Sequence, residues 1–78
     1  MELEGQVVKQ PFAVGTKSER EAIYLESAQG KFLLHRPGTN PLEIDRDLEA
    51  LTGRKVRCSG FLRGHTFVVS NVAVLDEP

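Results

Sequence analysis

Seventy-eight residues, 40% apolar and 27% charged, make one small globular domain over 1–78 and leave no room for a second. Ten basic against eleven acidic side chains give a formal net charge of -1, which excludes a protein that coats nucleic acid by bulk charge alone. One cysteine, Cys58, excludes an intrachain disulfide and a cysteine-only metal cluster, and His35 and His65 lie too far apart for a metal-ligand motif. No apolar run approaches a membrane span, and "MELEGQVV" carries acids where a secretory signal carries bases. The expectation is a cytoplasmic chain with no membrane contact, no metal and no cofactor.

The first strand is expected in "LEGQVVKQPFAV", with Leu3, Gly5 and Val7 on one side and Glu4, Gln6 and Val8 on the other. Pro11 cannot donate to a ladder, so this strand is expected to end near Gln10. After the polar "GTKSERE", the runs "AIYLE" and "KFLLHR" read as an antiparallel hairpin joined at Ser27 to Gly30. "PGTNP" breaks the sheet. In "LEIDRDLEALTG" the period changes: Ile44, Leu48 and Leu51 recur at helical spacing, Asp45 is placed to cap, and Gly53 suits the stop. Strands four and five follow, "KVRCSGFL" and "FVVSNVAVL", around the turn "RGHT". Gly60 allows a bend, and apolar parity switches between Phe67/Val69 and Val72/Val74, which asks for a bulge near Ser70 and Asn71.

Three strands, one short helix and two strands predict an all-β domain, a five-stranded OB-fold-like barrel with its helix between strands three and four. The stretch "LTGRKVRCSGFLRGHTFVVSNVAVLDE", together with the glycine-bearing "LEGQVV", resembles small bacterial OB-fold domains over nearly the whole chain. That resemblance implies a binding face on strands two and three and their loops, used in many such domains for single-stranded nucleic acid or oligosaccharide. The aromatic supply is thin for such a face: no Trp, one Tyr and four Phe.

The charges are uneven. Residues 31–63 hold seven bases and four acids, while residues 1–30 hold three bases and five acids. Lys31, Arg36, Arg57 and Arg63 fall on strands or their ends and are candidates for phosphate contacts. Tyr24, opposite in parity to Ile23 and Leu25, and Phe61, just past the bend, are candidates to stack bases, with His65 in the turn beside them. Each has a plain structural alternative as a solvated cation, a sheet aromatic or a turn residue. Phe32 and Phe67 are expected in the core. Neither histidine has a partner at catalytic spacing and Cys58 sits in an apolar alternation, so no catalytic residue is expected.

Two functions remain open from sequence. One is noncatalytic, weak, sequence-nonspecific binding of single-stranded DNA or RNA. The other is a protein-interaction or assembly module that offers a strand edge or apolar patch to a partner protein or to a second copy of itself.

Overall fold

The computed structural model describes residues 1–17, 19–40 and 43–76. Its elements are β1 (Glu2–Phe12), β2 (Arg20–Ser27), β3 (Gly30–His35), α1 (Arg46–Glu49), β4 (Lys55–Arg63) and β5 (Thr66–Val74). Strict alternation selects the inner face: Leu3 and Val7 of β1, Ile23 and Leu25 of β2, Leu34 of β3, Val56 and Cys58 of β4, and Phe67 and Val69 of β5 are all buried. Leu48 of α1 joins them, and Phe32, Ile44, Leu51 and Val72 pack around this core. Burial pushes the Cys58 thiol up to about 11, so it stays protonated and inert.

The ladders run β1-β2-β3-β5-β4 and return to β1, so the chain of pairings closes into a ring. The seams differ greatly. β1 pairs with β2 from Gly5↔Ser27 to Phe12↔Arg20, and β4 pairs with β5 along almost its whole length, whereas β3 joins β5 through only Leu33↔Thr66, Leu34↔Phe67 and His35↔Val68, in parallel. β2 and β3 stay together only from Tyr24↔Leu33 to Ser27↔Gly30.

The sheet closes as a mixed five-stranded ring. It departs from the expected OB-fold-like barrel in an uneven wall, because β3 leaves β2 beyond Leu33 while β2 continues alongside β1. The physical reason lies in β3: Leu34 packs opposite Phe67 of β5, and the next residue but one, Arg36, is held outside the sheet by carboxylates.

Three further expectations change or hold at residue level. β1 runs through Pro11 to Phe12 instead of stopping at Gln10. This is tolerated because the β1–β4 ladder ends at Gln6, and among the described residues no strand is paired on that side of Pro11 to require an N–H. The helix is a single turn, shorter than the periodic stretch suggested, and Leu42 and Pro41 at its approach lie outside the described residues. The bulge falls where parity placed it: Ser59 pairs with Asn71 and Gly60 with Val69, so Ser70 is the extra residue, and its hydroxyl donates to the Ser59 carbonyl at 3.0 Å.

Asp45 caps α1, accepting from the amides of Asp47 and Leu48 at 3.0 and 3.3 Å. It also receives a two-pronged bond from Arg36, 2.5 Å from Nε and 2.7 Å from an Nη, while Asp47 takes a third at 2.9 Å. Burial raises the Asp45 carboxyl, but the bonds from Arg36 and the Leu48 amide outweigh it and hold the group below the ordinary carboxylate value. A carboxyl depressed in the folded state adds stability above its unfolded value near 4, and that stability fades as pH falls through the lower folded value. Asp45→Asn keeps the cap and loses the ionic part. Urea unfolding is expected to show a loss of about 1 kcal/mol at pH 7 that shrinks as pH falls below the ordinary carboxylate value.

Candidate functional site

The register fixes which side chains share the outer surface. Starting from Tyr24, the outward row runs Val8, Tyr24, Leu33, Thr66 and Arg63, and the next runs His35, Val68 and Phe61. Lys31 lies over the Tyr24 ring at 5.2 Å and donates to Gln10 at 2.5 Å. The Arg63 guanidinium lies 5.7 Å from the centre of the Phe61 ring, and both are exposed, as is His65 in the turn. The sheet thus brings Tyr24 together with Lys31, and Phe61 with Arg63. It does not bring the two pairs together, since β3 and β5 stand between β2 and β4 on one side and β1 on the other.

The remaining candidates are engaged elsewhere. Arg36 is taken by Asp45 and Asp47, and Arg57 by Glu4 at 2.7 Å. The Glu4 hydrogen bond is the chief reason the Arg57 guanidinium titrates above its ordinary value. These cations hold segments of this chain together, so two of the four proposed phosphate contacts are occupied. Neither partner was readable from sequence, because Glu4 and Arg57 meet only through the β1–β4 ladder.

A concave feature lies where β3 leaves β2. A cleft of about 330 Å³ is bounded by β2 at Arg20 to Ile23, by Leu33 to His35 of β3 with Arg36 just beyond, by Arg63, Thr66 and Val68, and by Thr39, Asn40, Glu43, Ile44 and Asp45. Its lining mixes the two parities. Ile23, Leu34 and Leu48 belong to the core side, while Ala22, Leu33, His35 and Val68 belong to the outer side. The cleft therefore passes through the sheet, from the surface to the core, along the divergence of β2 and β3. Ala22 and Val68 are both turned outward and yet only 6% and 7% exposed, so the outer mouth is itself a sheltered apolar surface.

One wall of the cleft is a strand edge. Glu21, Ala22 and Ile23 have ladder partners in β1, at Pro11, Gln10 and Lys9, and no strand is paired to their other side among the described residues. Sequence reasoning missed this site. The available signal was the pairing of Ala22 and Ile23, two small or apolar residues in succession on a strand, which marks a place covered on both faces.

Among the described residues no cluster of histidine, cysteine and acidic side chains could hold a metal. No described helix is long and apolar enough to cross a membrane. No family model, curated protein or solved structure matches the chain. The resemblance to small bacterial OB-fold domains thus gains no support from any comparison, and a fold name contributes nothing to the functional reading below.

Proposed function

We propose that this protein is a noncatalytic interaction module that takes an extended segment of a partner protein into the opening between β2 and β3. The observation that supports it is the coincidence of an open strand edge, Glu21 to Ile23, with an apolar cleft leading to Ile23, Leu34 and Leu48. An added strand would gain main-chain hydrogen bonds from the edge and would place alternate side chains in the cleft, which is how strand addition combines affinity with selection. The place it fills is the one β3 vacates beyond Leu33.

The test is calorimetric titration with capped nine-residue peptides that alternate valine with serine. Binding with a dissociation constant tighter than about 1 mM is expected, and none at that level overturns the proposal. Ala22→Leu adds bulk inside the cleft without touching the β1 ladder. It is expected to keep the unfolding midpoint near that of the parent and to weaken the peptide by about tenfold or more.

A second reading, single-strand nucleic-acid binding, draws on two cation–aromatic pairs made by candidate residues, Lys31 with Tyr24 and Arg63 with Phe61. It asks a strand to cross β3 and β5 between the two pairs without Arg36 or Arg57. Labelled single-stranded DNA and RNA titrated at low and moderate salt decide it: saturable binding that weakens steeply with salt supports this reading, and its absence removes it.

A further inference from the structure

The cleft also carries information about what its occupant bears. On the outer side of the sheet, the charged or titratable strand residues around the opening are Arg20 on β2, His35 on β3 and Arg63 on β4, and all three line the cleft. The acids of the lining are disposed differently. Glu21 has the parity of Ile23, toward the inner side; Asp45 is held by Arg36; and Glu43 belongs to the segment before α1. Arg20 is already stacked on Phe12, with the guanidinium 4.4 Å from the ring centre. Among the described residues Arg63 contacts the Phe61 ring but no carboxylate, whereas Arg36, Arg46, Arg54 and Arg57 are each paired with one.

An added strand must alternate. A residue opposite Ile23 points toward Leu34 and Leu48, and its immediate neighbours point outward, on the side of His35 and Arg63. We infer that the segment taken by this cleft has an aliphatic residue flanked by a carboxylate side chain, the carboxylate meeting the Arg63 guanidinium at the outer mouth. This rests on the docking proposed above and names the chemistry of its partner. Arg63 sits at the end of a row that Thr66 and Leu33 connect to Tyr24, so its side chain is carried to the mouth by the sheet itself.

Three capped nine-residue peptides test it, identical in their inward valines and carrying aspartate, serine or lysine at the outward positions. The aspartate peptide is expected to bind about tenfold tighter than the serine peptide and the lysine peptide more weakly than both, with the spread narrowing as salt rises. Arg63→Gln, at an exposed position, is expected to erase the aspartate advantage while leaving the serine peptide unchanged. Equal binding of all three, or an advantage that survives Arg63→Gln, overturns the charge preference and leaves the docking itself intact. Failure of all three to bind overturns both.

Discussion

Gly60→Ala is expected to destabilise the protein by about 3 kcal/mol or more, a large share of the 4–12 kcal/mol on the order of which a chain of this length is stable. A Cβ at Gly60 would stand 1.9 Å from the Val68 carbonyl oxygen and 2.9 Å from its carbon, and both atoms are backbone in the paired strand. They cannot turn away as a side chain can. Relief requires β4 and β5 to separate at the bulge, where Ser59↔Asn71 gives way to Gly60↔Val69, and the Phe67 ring, 3.2 Å from the same Cβ, blocks a shift sideways. Gly64→Ala in the adjoining turn is the control. Nothing lies within 4 Å of its Cβ, so only the left-handed backbone, φ 62°, opposes it, at a cost of about 1–2 kcal/mol. Urea unfolding of the pair should separate steric from conformational cost, with Gly60→Ala much the more damaging; equal losses would show that β4 and β5 part easily at the bulge.

Phe67→Ala is expected to cost about 3–5 kcal/mol, since it removes the largest side chain with no exposure at all. Its position explains the upper end of that range. Phe67 pairs with Leu34 across the parallel seam and with Leu62 across the antiparallel one, so its ring packs at the place where β3 is joined to the rest of the sheet. That seam has only three residue pairs, and the void would fall beside it. The variant should lose slope as well as midpoint in urea, because a loosened β3 exposes part of the core before global unfolding. A lower midpoint with unchanged slope would show that β3 stays docked without the ring.

Much of the sheet was legible in the alternation of single strands. Leu3 with Val7, Ile23 with Leu25, and Val56 with Cys58 each declare an inner face, and the parity switch from Val69 to Val72 located the bulge at Ser70. What alternation does not encode is how far two strands stay together. The separation of β2 from β3 after Leu33 depends on β5, more than thirty residues away in sequence, and on Arg36 finding Asp45. The opening, and with it the site, was therefore invisible along the chain. The same holds for the cations: a strand arginine such as Arg57 reads as available until the register sets Glu4 opposite it. Pro11 misled for a related reason, since its cost depends on which side of β1 carries a neighbour.

The most direct measurement is residue-resolved amide hydrogen exchange on the free protein and on the protein saturated with the aspartate-bearing peptide. In an antiparallel strand, amides alternate between the two edges, so within Glu21 to Ile23 at least one faces β1 and at least one faces the cleft. The cleft-facing amide is predicted to exchange quickly in the free protein and to become protected when the peptide binds, while Leu25 stays slow throughout. Protection that instead appears at Tyr24, Phe61 or the turn at His65, with the Glu21 to Ile23 amides unchanged, would contradict strand addition at β2 and move the binding surface away from the strand edge onto the outer face of the sheet.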